Sequence, residues 1–202
     1  MVIHGQALLI LGIPIWILIR SIIVYFNKRK GYRISLKRES LLFVFYVYVL
    51  CVISITLFPL YITDRHNVIL SANLIPVVGT INGVVNSIND PYMRNYMIKF
   101  WVRNIGGNTV LLLPMGIFLP LIWSKFRRAG KVTLFAFLFS LTIEVLQLLS
   151  CYLGNMGRAF DIDDILLNTL GAFIGITLYT LYANKIHPKH KPEYEREEAT
   201  QS

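Results

Sequence analysis

Five stretches of this chain are each about as long and as apolar as the hydrocarbon core of a bilayer, and that constrains the fold more than any other feature. A helix needs roughly 20 mostly apolar residues to cross about 30 Å of lipid. Such runs occupy residues 6–26, 41–62, 105–123, 132–153 and 165–183. Lipid offers no partner to a backbone N–H or C=O, so each run must satisfy its own hydrogen bonds as a helix. The expected fold is all-α: a bundle of five transmembrane helices forming one domain over residues 1–183, with a mobile charged tail over 184–202. Charged residues make up only 15% of the chain, well below the quarter usual in soluble domains, and this agrees. The first run has no basic leader and no small-residue cleavage site, so it reads as a retained anchor.

Basic residues set the expected orientation. Six lie between Lys28 and Arg38, four between Lys125 and Lys131, and four beyond Ala183. With Arg20 these make fifteen of the twenty, all on one side of a five-span chain. The positive-inside rule then places the N-terminus outside and the C-terminus in the cytoplasm, and Arg20 is expected to snorkel to the inner headgroups. The net charge of +9 is thereby explained by short loops on anionic lipid, not by nucleic acid. Cys51 and Cys151 lie at different expected depths and read as free thiols.

Between the second and third runs lies a long stretch with Asn73-Leu74-Ile75-Pro76, then a Gly/Asn-rich part. Residues 91–103 follow, interleaving Tyr92, Tyr96, Phe100 and Trp101 with Arg94, Lys99 and Arg103. That mixture predicts an external helix lying in the membrane interface as an anchor.

Polar residues inside apolar runs are expensive and point inward. The fourth run carries Thr133, Ser140, Glu144, Gln147 and Cys151 on one helical face. For Glu144 and Gln147, interhelical hydrogen bonding is one reading. A carboxylate is costlier than the amide that packing would need, which favours a role for Glu144 beyond packing. At the mouth of the fifth run stand Arg158, Asp161, Asp163 and Asp164, followed by Asn168, Gly171 and Gly175. Asp161 and Asp164 suit a helix N-terminus as caps, while the glycines suit close helix packing. The third run adds Asn104 and Asn108, then Pro114, which predicts a kink. Asn108, Glu144, Gln147, Asp164 and Asn168, with Arg158 above them, are thus expected to converge at the outer end of the bundle.

The pattern Asn73-Leu74-Ile75-Pro76, Asn108-x5-Pro114-x-Gly116, Glu144-x2-Gln147 and Arg158-x2-Asp161-x-Asp163-Asp164-x3-Asn168-x2-Gly171 resembles the VanZ-like family of bacterial membrane proteins. The resemblance covers most of the chain from the second run to the fifth. It implies a multi-pass envelope protein, and the family's namesake raises tolerance to the glycopeptide antibiotic teicoplanin. Candidate ligand-binding residues on this reading are Asn73, Asn108, Glu144, Gln147, Arg158, Asp161, Asp163, Asp164 and Asn168.

Three functions fit these residues. The first is a protein that binds or remodels an outer-leaflet amphiphile, with membrane lipid, a lipid-linked cell-wall precursor or the glycopeptide as partner. The second is an intramembrane enzyme, with Glu144 as acid or base and the aspartates around a divalent cation. Against it, no H-E-x-x-H, G-x-S-x-G or P-loop is present, and His4, His66, His187 and His190 all lie outside the apolar runs. No motif for a cofactor or a metal is evident. The third is a transporter, disfavoured by the lack of an internal repeat.

Overall fold

The computed structural model describes residues 2–61, 71–89, 92–152 and 159–186. A short strand β1 (Val2–Ile3) leads into helix α1 (Gly5–Arg29), and α2 (Leu36–Leu57) returns to strand β2 (Leu60–Tyr61), which pairs antiparallel with β1. Next come β3 (Ser71–Asn73), α3 (Val78–Asn89), α4 (Arg94–Leu111) and α5 (Leu113–Ile122). A 3-10 turn at Ser124–Phe126 precedes α6 (Ala129–Tyr152), and β4 (Ala159–Asp161) runs directly into α7 (Ile162–Ile186). With α4 and α5 taken together, five helical segments are long and apolar enough to cross a membrane, as expected.

The centre of the bundle is the contact of α7 with α4, α5 and α6. Glycine makes it possible. A Cβ on Gly171 would overlap the backbone carbonyl oxygen of Thr109, one on Gly175 that of Leu113, and one on Gly116 that of Ala172. The Gly171-x-x-x-Gly175 spacing puts both α7 glycines on one face, against a glycine of the partner helix. Around this seam Leu112, Met115, Leu119, Val132, Ile143 and Ile176 are buried. By contrast, α1 has no buried residue and leans chiefly on α2, where Trp16 stacks on Tyr46 and Gly12 accommodates Leu50.

Pro114 does break the third span. Its ring nitrogen carries no hydrogen, and α4 stops at Leu111 while α5 starts at Leu113. The Tyr48 hydroxyl fills the break. It donates to the Leu111 carbonyl at 2.7 Å, the acceptor that an unbroken helix would pair with the Met115 N–H. Tyr48→Phe should therefore leave the Leu111 carbonyl without this partner and cost about 1–3 kcal/mol, read as a lower melting temperature in detergent.

One expectation needs correction, and two others gain detail. The aromatic and basic segment ending at Arg103 is not a separate interfacial helix, because residues 94–103 are the first turns of α4, continuous with the span. The separate short helix is α3, which exposes Ile81, Val85 and Ile88 and turns Gly83 and Ser87 to Trp101 of α4. Helical propensity carries on past the point where hydropathy falls. Next, α2 begins at Leu36, ahead of the apolar run, and so includes Glu39 in its first turn. Glu39 is the partner of Arg20, whose Nε and Nη2 contact its carboxylate at 2.5 and 2.8 Å. Finally, Asp161 ends β4 directly before α7, and its Oδ1 accepts the backbone N–H of Asp163, the helix cap expected of it. The two cysteines are free, as expected, and residues 187–202 of the charged tail lie outside the described residues.

Candidate functional site

Polar side chains gather where β4 becomes α7, and the residues picked out in the sequence divide there into three groups. The first is a clasp. Strand β3 runs parallel to β4 in the register Ser71 to Ala159, Ala72 to Phe160 and Asn73 to Asp161. The Asn73 amide donates to Asp161 Oδ1 at 3.0 Å, and the backbone N–H of Asp163 donates to the same oxygen at 2.9 Å. The backbone N–H of Asp161 in turn donates to Glu144 Oε2 at 3.0 Å. Glu144 is 2% exposed, so its carboxylate lies wholly inside the bundle, fastening β4 to α6.

Asp163 completes the clasp from the first turn of α7. Its Oδ1 accepts the Val77 N–H at 2.6 Å and its Oδ2 the Thr80 hydroxyl at 2.5 Å. Val77 has φ of +69°, which a β-branched residue rarely adopts, and the Val78 N–H closes a tight turn on the Pro76 carbonyl. Such a backbone stores about 1–3 kcal/mol of strain and persists only where its surroundings hold it. Here the buried Asp163 carboxylate holds it.

The second group lies deeper. Asn168, one turn below Asp164, donates to Ser140 Oγ at 2.9 Å, and both are buried. The third group faces an open cleft of about 370 Å³ between α2, α4, α6 and α7. The Asn108 amide hydrogen-bonds Asp164 Oδ1 and also Asn104 Oδ1, the latter at 3.2 Å. Gln147 donates to the Thr56 carbonyl at 2.8 Å. Arg103 and Asn104 complete the polar lining, while Ile55, Phe100 and Leu111 form an apolar wall.

Of the nine candidates, Asn108, Gln147 and Asp164 line the cleft, and Asn73, Glu144, Asp161 and Asp163 form the clasp. Asn168 is packed against Ser140, and Arg158 lies outside the described residues. The three aspartates do not converge on a common point, and among the described residues no three His, Cys, Asp or Glu side chains are grouped as ligands of one ion. A cation held by that trio, the arrangement entertained for an enzyme, has no counterpart in this geometry. Sequence reasoning missed Arg103 as a site residue because its aromatic neighbours read as an anchor. Thr80 and Val77 left no signal, since neither residue type in a Gly/Asn-rich stretch announces a carboxylate partner.

Residues 45–183 match the family model VanZ/LLP1. Protein VanZ of Enterococcus faecium is 33% identical over 89 residues, covering 43% of this chain and 50% of that relative, so the chain spans about half the length of the curated protein it matches. No solved structure matches. The matched region takes in α4 to α7 with the whole of the clasp and the cleft, and excludes α1.

Proposed function

The chain belongs to the VanZ/LLP1 family of multi-pass membrane proteins, and from that premise we propose that it lowers the susceptibility of a bacterial envelope to lipid-anchored glycopeptides of the teicoplanin type. It does so by holding the head of an outer-leaflet amphiphile, a lipid or lipid-linked cell-wall precursor, in the cleft between α2, α4, α6 and α7. The observation that carries this reading is the cleft lining. A guanidinium, a carboxylate and three amides face an apolar wall in a region built from membrane-spanning helices. Arginine suits phosphate or carboxylate, amides suit hydroxyl and amide groups, and apolar residues suit the chain of an amphiphile.

The fold supports such a task mechanically. The clasp fixes the first turn of α7, and the glycine seam fixes α7 against α4 and α5, so the cleft walls are held by elements that do not depend on a ligand. The amphiphile's head is then presented at one depth, and its occupancy changes how a lipid-anchored glycopeptide reaches its target.

In this reading the cleft opens to the outside, as the distribution of basic residues implies. On a Cys-free background, an impermeant thiol reagent should label a cysteine at Asn86 and not one at Ser35 or Ser124. The reverse pattern would remove the outer-leaflet part of the proposal. For the function itself, cells carrying Arg103→Gln or Asp164→Asn should lose most of the gain in teicoplanin tolerance at unchanged protein abundance. Full tolerance in both variants would end the cleft reading.

A further inference from the structure

The cleft carries one cation and one anion that do not neutralise each other. Arg103 and Asp164 both line it, yet the ion pair formed among the described residues is Arg20 with Glu39, between other helices. Arg103 is exposed and Asp164 half-buried, so each keeps a charged end that a ligand in the cleft can meet.

The hydrogen bonds already made sort the remaining groups into two ends. Asp164 Oδ1 is occupied by Asn108, which leaves Oδ2 as an acceptor. Gln147 spends its amide hydrogen on Thr56, which leaves its oxygen as a second acceptor. Asn104 receives Asn108 on its oxygen, which leaves its NH2 as a donor beside the Arg103 guanidinium. Donors therefore stand on Arg103 and Asn104, and the Asp164 acceptor at the level of Asn108, with Gln147 lining the same cleft from α6. These levels are one helical turn apart along α4, roughly 5–6 Å. A phosphate and an ammonium joined by a two-carbon link span a similar length.

We infer that the cleft takes a membrane phospholipid whose head carries both a phosphodiester and a primary ammonium group, the phosphate on Arg103 and Asn104 and the ammonium on Asp164 and Gln147. This rests on the reading that the cleft holds an outer-leaflet amphiphile, and it specifies which one. A purely anionic head would satisfy Arg103 and be repelled by Asp164. A quaternary ammonium has no N–H to give to the two acceptors. A primary ammonium has three, and a charge-assisted bond to a carboxylate is about twice as strong as a neutral one. Ile55, Phe100 and Leu111 would lie along the lipid's glycerol and acyl part.

The test is native mass spectrometry of the purified protein in detergent, titrated with phosphatidylethanolamine, phosphatidylcholine and phosphatidylglycerol of identical chains. The parent should bind the ethanolamine lipid about tenfold more tightly than either other lipid, the worth of one hydrogen bond to a charged group. Asp164→Asn, which keeps the bond from Asn108, should erase the preference over phosphatidylglycerol. Arg103→Gln, at an exposed position, should weaken all three lipids alike. Melting temperatures within the parent's range show that each variant is folded. Equal binding of the three lipids by the parent, or a preference that survives Asp164→Asn, would overturn the inference. Its failure is separable from that of the functional reading. Cleft variants that lose teicoplanin tolerance while the parent shows no head selectivity would retire the zwitterion and keep the function. Selective binding with full tolerance in both Asp164→Asn and Arg103→Gln would do the opposite.

Discussion

Gly171→Leu should abolish accumulation of the folded protein in membranes. At this position α7 meets α4 backbone to backbone, and even a methyl group would overlap the Thr109 carbonyl oxygen. Neither neighbour can yield, because the clash is with main chain and not with the end of a flexible side chain. The same seam continues at Gly175 and Gly116, where a Cβ on Gly175 would also lie 3.1 Å from the Gly116 Cα. Overpacking a fitted core costs about 1–3 kcal/mol, and more where backbone must separate. Parting these helices also disturbs Leu112, Met115 and Ile176, which are buried beside them. We expect a loss of about 4 kcal/mol or more, enough to unfold a protein of ordinary stability. Gly130→Ala is the control, since nothing outside its own helix approaches that site within 4 Å, and alanine is the better helix former by about 1 kcal/mol. Membrane abundance and detergent melting temperature measure both. Parental values for Gly171→Leu would show that the seam can open.

Asp163→Ala should release residues 71–89 from the bundle while leaving the five spans in place. The carboxylate is 6% exposed and binds both the Val77 N–H and the Thr80 hydroxyl. Without it a backbone donor in a strained turn loses its partner. Hydrogen bonds to a charged group contribute about 1.5–3 kcal/mol each, so amide exchange in this segment should accelerate by about 10- to 100-fold. Thr80→Val should produce a smaller effect of the same kind. Val77→Gly should act in the other direction, because glycine adopts positive φ without steric penalty. Hydrogen exchange read by mass spectrometry resolves the segment from the spans. Unchanged protection over residues 71–89 in Asp163→Ala would show that β3 pairing alone suffices to hold it.

The polar stripe of α6 illustrates how far periodicity reaches. Ser140 and Glu144 are buried as their spacing required, and Gln147 meets the Thr56 carbonyl of α2. A 3.6-residue period fixes which side of a helix a residue occupies, and an ionisable group in lipid has only one tolerable side. What it meets there is a separate matter. Glu144 faces the backbone of Asp161, and Gln147, less than one turn on, faces the cleft. The interfacial segment shows the converse. Aromatic and basic residues in 91–103 indicated a wet, membrane-edge environment, but composition does not say where one helix ends, and here α4 begins at Arg94 and continues into the span.

Length and hydropathy by themselves determined the five helices, because lipid leaves the backbone no other partner, and the glycine spacing of α7 determined that another helix would come close. Pro114 determined the break in the third span. Tertiary structure alone decided how Asp161, Asp163 and Asp164 divide their work. Asp161 ends a strand and the other two begin a helix, so three near-neighbours in sequence point in different directions. Their partners, Asn73, Val77, Thr80 and Asn108, lie between 56 and 88 residues away along the chain. No local pattern encodes such pairings. They exist because β3 pairs with β4 and because α4 is pressed against α7 by glycines, and those two long-range contacts turn a run of carboxylates into one clasp and one wall of a cleft.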